Sequence, residues 1–505
     1  MMKQTYFLVL SFLLLLACNP DEEERTISQP TPHPDLLPPT TVDRTIREVL
    51  EKQQTFAWQM VSEQMTWSAL LHSDSTLFVG YQPTGASDVN DQLPNLDLND
   101  PTWQRAKADL LIEVGRFGQQ ETTSTTVVLN EHPTLPYLTI KTTSYALLQH
   151  LRASPRVRYV EPASYTLQTT DAANQRTVAK IICNYEDRDV LASDFQTVAP
   201  NAQVSWNFAN AQITQAWPQS TGAGVAVGLI DTGISPDQAK LNGQFNDGFS
   251  QGRSIIALGS YNNDGAADQC GHGTRMAGVI AAPRGTTGSA VGVAYSASLV
   301  SYRGTNDVII NDRAEKDGVV AALVALADRS DVRVISMSIG DLFDSGPVAD
   351  AIRYAYGRDK LICAAAGTST SFTNWAGVVF PARMEETVAI TGTKENEYRR
   401  CSNCHSGSRV DFVLAMQRQA DAERTTLTLR EVGDAPTYIG GSSIATAMTA
   451  GIAALVWSQY PDWSRDQVLQ RLKESAEFYP DRDNEFGWGL LNAAEAVSGP
   501  PIAQN

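Results

Sequence analysis

The distribution of apolar residues changes character near Val204. Beyond that point short apolar runs alternate with longer segments of helical spacing, the signature of a parallel sheet with helices between its strands. Val225 to Ile230 is continuously apolar and reads as a buried strand. Thr274 to Ala281 starts a helix of small residues, and Ala290 to Tyr302 contains a strand. Asp317 to Ala327 and Pro347 to Tyr356 have helical spacing, and each leads into an apolar run, Val332 to Met337 and Leu361 to Ala365. Thr387 to Thr391 is another strand. Ala445 to Trp457 reads as a buried helix, Arg465 to Glu474 is amphipathic, and Gly487-Trp488-Gly489-Leu490-Leu491-Asn492 leads into a last helix. The first half of the chain is patterned differently. Arg44 to Trp67 has helical apolar spacing, Asp109 to Val114 and Thr126 to Leu129 look like strands, and Gly85 to Pro101 is a turn-rich loop. Leu138 to Val160 reads strand, helix over Ser144 to Ala153, strand. Thr169 to Gln203 is polar and poorly periodic.

The amino end carries an address. Lys3 precedes the apolar stretch Tyr6 to Leu16, which is followed by Ala17-Cys18. That arrangement is a secretory signal, too short for a comfortable membrane span. An acidic run, Asp21 to Glu24, and the Pro-rich stretch Pro30 to Pro39 then read as a flexible tether. The 505 residues allow two to four domains, and a hydrophobic content of 42% is ordinary for a globular core. A net charge of −17 argues against nucleic acid and anionic membrane surfaces as partners.

Three short segments carry chemistry. Asp231-Thr232-Gly233 ends an apolar strand, where open α/β folds place their sites. Gly271-His272-Gly273-Thr274 opens a helix, so that the ring stands clear of the backbone. Gly440-Gly441-Ser442-Ser443 precedes the buried helix, whose amino end directs N–H groups and partial positive charge at Ser443. A serine hydroxyl needs a base to take its proton, and a carboxylate to hold that base in the right tautomer. Each segment alone is weak: Asp-Thr-Gly occurs in many turns, and Gly-Ser-Ser is usually a loop. In the order Asp, His, Ser, each in a fitting local setting, they point to a nucleophilic triad of Asp231, His272 and Ser443.

From Val204 to Val497 the chain resembles the subtilisin-like serine proteases, the subtilases. Besides the triad segments, the similarity rests on Val334-Ile335-Ser336-Met337-Ser338-Ile339-Gly340, which matches the strand lining the peptide cleft. Further matches are Ala364-Ala365-Ala366-Gly367 before the oxyanion residue, Phe380-Pro381-Ala382 after it, Val410-Asp411-Phe412, and Gly487-Trp488-Gly489. The resemblance implies a three-layer α/β/α sandwich with a mostly parallel sheet. It also implies an endopeptidase acting through an acyl-enzyme, with Ser338, Ile339, Gly340, Ala366 and Gly367 contacting substrate. Pro155 to Pro162 is similar to the end of the inhibitor-type propeptide that precedes many subtilases, so a smaller α+β propeptide-like domain is expected in front. Leu15-Leu16-Ala17-Cys18 resembles the lipobox of bacterial lipoproteins and implies lipid on Cys18, with the protein at the outer membrane or cell surface. A solvated linker explains the acidic residues after Cys18 as well as an export signal does. Three positions depart from the family. Thr368 stands where an asparagine amide usually donates to the oxyanion, leaving the Ser443 backbone N–H as the second donor, with Asn374 a weaker substitute. Arg275 replaces the usual histidine and Ala447 the usual proline, both read as tolerated packing changes. The Thr368 replacement implies a slow enzyme, or a binding protein on a protease scaffold.

The sequence holds six cysteines, Cys18 and five more, so at least one of the five is unpaired within the chain. Cys363 lies in an apolar strand and reads as a buried thiol. Cys270 pairs with Cys183 or another cysteine, or is a free thiol beside the site. Cys401-Ser402-Asn403-Cys404-His405 spells the pattern for covalent haem, with a small disulfide loop or two thiols as the preferred reading. No cofactor is required. Structural calcium is compatible with the family, but Asp264, Asp268, Asp307 and Asp312 fit no calcium loop and read as a solvated acidic surface. The expected organisation is a signal peptide over 1–17, a tether over 18–40, the propeptide-like domain over 41–168, an interdomain or processing segment over 169–203, the catalytic domain over 204–498 and a tail over 499–505. Partners would be a peptide or protein substrate, the chain's own propeptide-like domain and, through lipid, a membrane, with no nucleic acid.

Overall fold

A computed structural model of the chain describes residues 34–87, 89–118, 125–167, 183, 186–368 and 377–499. The expected signal peptide, Cys18, most of the tether, Asn374 and the 499–505 tail beyond Gly499 lie outside the described residues. Among the described residues no helix is long and apolar enough to cross a membrane.

The N-terminal part opens with helices α1 (Pro39–Gln53) and α2 (Glu63–Leu71). The expected single helical stretch from Arg44 to Trp67 is thus two helices. Gln54 turns left-handed at φ 58°, and a 3₁₀ turn over Trp58–Met60 swings Phe56 and Trp58 into an aromatic cluster. Strand β1 (Thr76–Tyr81), helix α3 (Pro101–Gly118), strands β2 (Thr126–Glu131) and β3 (Tyr137–Thr142), helix α4 (Tyr145–Ala153) and strand β4 (Val157–Pro162) complete this part. Asp109 to Val114 is therefore helix and not strand. The reason is a stripe of longer reach: Trp103, Ala106, Leu110 and Val114 share one helical face in the core, a period that the local window conceals. The four strands form an antiparallel sheet in the order β2-β3-β1-β4. Its two faces serve different cores. Leu77, Val79 and Tyr81 pack with Leu110, Leu147 and Leu151, whereas Phe78, Tyr137 and Tyr159 point the other way, as the two-residue period of strands requires.

A hairpin of β5 (Phe195–Val198) and β6 (Ala202–Ser205) spans Val204, the expected domain start. The main sheet then collects β7 (Ala226–Asp231), β8 (Ile255–Gly259), β9 (Ser298–Arg303), β10 (Val332–Met337), β11 (Leu361–Ala365), β12 (Val388–Lys394) and β13 (Phe412–Gln417). Its order is β13-β12-β11-β10-β7-β9-β8, with every pairing parallel. Helices α5 (His272–Ala281) and α8 (Ser442–Gln459) pack on one face. Helices α6 (Arg313–Ala327) and α7 (Gly346–Tyr356) pack on the other, giving the expected α/β/α sandwich. A second hairpin, β14 (Thr426–Leu429) with β15 (Pro436–Ile439), leads directly into α8, and α9 (Arg465–Glu474) and α10 (Ala493–Ser498) finish the chain. Strands added after β7 go first to one side and then, from β10 onward, to the other. A crevice therefore opens at the carboxyl ends of β7 and β10, where parallel sheets bind ligands.

The outer face of the N-terminal sheet lies on α6 and α7. Phe78, Tyr137, Tyr159 and Ala163 share one core with Leu323, Val348, Ile352 and Ala355. Glu161 caps the start of α7, accepting from the Gly346 N–H at 3.0 Å and the Ser345 hydroxyl at 3.1 Å. Arg158 clasps buried Asp350 through both terminal nitrogens, at 2.6 and 2.7 Å, and Lys316 Nζ donates to the Ala163 carbonyl at 2.9 Å. Breaking one member of a buried charged pair of this kind costs about 3–5 kcal/mol, so Arg158 fixes how the two parts register.

Candidate active site

Asp231 is the last residue of β7 and has no exposed surface. Its Oδ1 accepts the Thr232 N–H at 2.8 Å and meets His272 Nδ1 at 2.7 Å. A carboxylate on Nδ1 keeps the proton there and leaves the lone pair on Nε2, the form a general base needs. His272 is the first residue of α5 and only 2% exposed. The two loops meet backbone to backbone: a Cβ on Gly273 would lie 2.3 Å from the Gly233 carbonyl, so only glycine fits between Asp231 and His272.

Asp268 secures this junction. Its Oδ1 accepts from Gly271 N–H at 2.7 Å, Cys270 N–H at 3.0 Å and Thr232 Oγ1 at 2.9 Å. Its Oδ2 accepts from the Thr274 N–H at 2.8 Å and hydroxyl at 2.6 Å. The expectation of a solvated acidic surface fails here. Asp268 is an anion at the amino end of α5, where the helix dipole and free N–H groups favour negative charge. Asp312 caps α6 in a reciprocal box with Glu315. Asp307, near His272, is largely enclosed, and burial raises its carboxyl above the ordinary 3.8. Asp264 alone of the four is exposed. Among the described residues no group of three or more His, Cys, Asp or Glu is arranged to hold a metal.

Ser443 is half-buried in the first turn of α8, which has no side-chain cap, so its backbone donors face the crevice. The Ser443 hydroxyl donates to the Ser338 carbonyl at a long 3.4 Å, and the Ser338 hydroxyl donates to the Ser443 carbonyl at 2.9 Å. Of the residues expected to contact substrate, Ile339 and Ala366 are buried, and Gly367 donates its N–H to Ser442 Oγ at 3.3 Å. Gly340 has both backbone groups engaged within the chain. Its N–H donates to the Val308 carbonyl at 3.0 Å, and its carbonyl accepts the Ile310 N–H at 3.1 Å. Thr368 is exposed and reaches the same helix start, but its Oγ1 lies 3.1 Å from Ser442 Oγ, one residue before the expected nucleophile.

The cysteines resolve simply. Cys183 is bonded to Cys270, two residues before His272, and Cys401 to Cys404, while Cys363 is a buried free thiol whose pKa burial pushes up to about 12. The Cys401 and Cys404 sulfurs are thus bonded to each other, which leaves no thiol for haem attachment. His405 lies behind the Gly367 backbone with Nδ1 2.9 Å from the Gly377 carbonyl, and burial lowers its pKa. The contacts of Arg275 to Asp187 and Glu431 escape sequence reading because those partners are distant along the chain, and Asp268 escapes it because its local contacts to Cys270, Gly271 and Thr274 form only once the loop folds back on the start of α5. The only sequence hint of Asp268 is an acidic residue just ahead of a helix start.

Residues 222–489 match the subtilase family. The chain is 31% identical to subtilisin DY of Bacillus licheniformis over 279 residues, which cover 55% of this chain and 92% of that one. It is likewise 31% identical to subtilisin BL of Lederbergia lenta over 297 residues, 58% of this chain and 98% of that one. Among solved structures, fervidolysin from Fervidobacterium pennivorans, a keratinolytic enzyme related to subtilisin, superposes with a TM-score of 0.59 at 18% identity. That superposition covers 86% of this chain and 62% of the other, and it speaks to the fold. A buried carboxylate–imidazole pair, a serine at an open helix start and a family match over more than half the sequence converge: the chain belongs to the subtilase family and is a serine-type endopeptidase.

Proposed function

We propose that peptide hydrolysis runs through Asp231, His272 and Ser443, on an exported protein held at a membrane by lipid on Cys18 and made in a latent form. The observation that carries the catalytic part is the fully buried Asp231–His272 contact at 2.7 Å, beside the uncapped helix start that bears Ser443. Ser443 Oγ attacks the scissile carbonyl while its proton passes to His272 Nε2. The oxyanion is met by the Ser443 N–H and the dipole of α8, with Thr368 as the neighbouring side chain. His272 then gives the proton to the leaving amine, and water hydrolyses the acyl-enzyme by the same steps in reverse order.

Latency rests on two observations. The N-terminal sheet is docked on α6 and α7, as a propeptide-like inhibitor domain would be. The Gly340 backbone, which a substrate strand would use, is paired with Val308 and Ile310. Export and lipidation rest on the sequence around Lys3 and Ala17-Cys18. The test is a fluorophosphonate probe with a chromogenic peptide, applied to wild type and Ser443→Ala after the N-terminal part is cleaved away. Labelling and turnover in wild type alone are expected. An unlabelled wild type that still binds peptide would favour the binding-protein reading, for which the engagement of Thr368 with Ser442 is the specific argument.

A further inference from the structure

Arg275 stands where the family resemblance leads one to expect histidine, and it is more than a packing change. It lies one turn into α5 and its side chain is 1% exposed. Nη1 donates to the Gly271 carbonyl at 2.8 Å and to Glu431 Oε1 at 3.0 Å, and Nη2 donates to Asp187 Oδ1 at 2.9 Å. The Arg275 carbonyl accepts from Thr428 Oγ1 at 2.6 Å. Three pieces of chain therefore meet on one guanidinium. They are the residue just before His272, the β14–β15 hairpin that runs on to Ser443, and the segment after Cys183. The Cys183–Cys270 disulfide fastens that last segment to the same helix start. The packing is tight. Gly271 has φ +81°, and a Cβ there would lie 2.1 Å from Glu431 Oε1 and 2.4 Å from Arg275 Nη1. A carboxylate thus lies against the backbone of the residue next to His272.

We infer that Arg275 is a positioning residue for His272: it ties the start of α5 to the hairpin that leads to Ser443, and it neutralises Glu431 and Asp187 at the start of α5. The inference rests on the triad reading. Two consequences follow from the chemistry. Without the guanidinium, Glu431 and Asp187 add uncompensated negative charge at the start of α5 to that of Asp231 and Asp307, which already face His272, and this favours the imidazolium. A lysine in its place keeps the charge but offers a point donor and not a planar fork, so it cannot hold Gly271, Glu431 and Asp187 together.

The full chain, processed as it exists, is assayed on a peptide anilide across pH. Arg275→Met should lower kcat about tenfold or more with KM nearly unchanged, because the residue touches no substrate. It should also move the acid limb of kcat/KM up by about half a pH unit. Arg275→Lys should keep the acid limb near wild type while leaving kcat low. Asp187→Asn with Glu431→Gln, which keeps the arginine, should move the limb the other way, and it carries the test if Arg275→Met does not fold. An acid limb that stays put in both charge variants overturns the inference. So does a kcat for Arg275→Lys equal to that of wild type. If wild type itself neither turns over nor takes a fluorophosphonate, the triad reading is what fails, which separates the two outcomes.

Discussion

A threonine hydroxyl reaches one atom less far than an asparagine amide, and at position 368 that atom matters. Thr368 Oγ1 is 3.1 Å from Ser442 Oγ, and the Gly367 N–H converges on the same oxygen. The oxyanion would form at Ser443, so Thr368 must turn from Ser442 to serve it. In a subtilisin, removing one oxyanion donor costs about 10²–10³ in turnover. Restoring the longer donor with Thr368→Asn should therefore raise kcat about tenfold to a hundredfold, with KM little changed, on a peptide anilide after the N-terminal part is removed. An unchanged kcat would mean that Thr368 does not limit this enzyme. At the other end of the proposed relay, Asp231→Asn should lower kcat by about 10⁴, because an amide favours the wrong histidine tautomer. Circular dichroism would verify that the fold survives. Asp231, His272 and Ser443 can be singled out from the sequence as a candidate triad because the chemistry demands particular residue types in a particular order. Arg275 cannot be, since its role is written by Asp187 and Glu431, which only the fold brings near, and Asp268 is signalled only by its place just ahead of a helix start.

Among the elements, legibility follows how far each one's periodicity extends. The amphipathic helix read over Arg465 to Glu474 is α9 to the residue, and the apolar runs read as β10 and β11 have the expected bounds. Their signals are long or bounded by clear breakers. β1 gives no alternation to find, because every residue from Thr76 to Tyr81 is buried and both faces meet a core. The threonine-rich hairpin β14–β15 is equally silent, although it carries the contacts to Arg275. The break between α1 and α2 is set from afar, by Phe343 in the loop after β10. The Phe343 ring lies 5.3 Å from that of Phe56 and 6.1 Å from that of Trp58, and Tyr165 closes the cluster. Thr55 and the Phe56 carbonyl bind Asp344 beside it, at 3.0 and 2.8 Å. Deleting a buried phenylalanine side chain costs about 3–5 kcal/mol where the site cannot collapse. Phe343→Ala should accordingly weaken retention of the N-terminal part by two orders of magnitude or more, measured as dissociation by gel filtration after the chain is cut between the two parts. Equal retention would show that the cluster is incidental to docking.

The molecule as a whole joins two bodies through an interface that buries carboxylates as well as aromatic rings. Glu161 enters that interface from β4 and faces the Gly346 N–H, the Ser345 hydroxyl, Lys316 and Asp344. Burial is the largest influence on it and pushes its carboxyl from the ordinary 4.5 up to about 7, against the pull of Lys316 and the helix donors. Asp317 on α6, whose charge bears on Tyr137 of β3, is raised by burial to about 6. A group whose pKa is higher in the docked state than when free takes up a proton on docking. Its contribution is fully present below the free value, near 4.5 for Glu161, and is lost as pH rises through about 7. The N-terminal part should therefore hold tightly in mild acid and loosen toward neutral and alkaline pH. With the chain cut between the two parts, isothermal titration or gel filtration should give a dissociation constant about tenfold or more larger at pH 8 than at pH 5. Glu161→Gln, a permanent mimic of the protonated carboxyl, should keep tight docking at pH 8 and flatten most of the dependence, leaving the smaller share of Asp317. A dissociation constant that is flat in wild type, or that falls with rising pH, would remove Glu161 as the source of pH-dependent docking and leave the aromatic cluster and the Arg158–Asp350 pair to hold the two parts together.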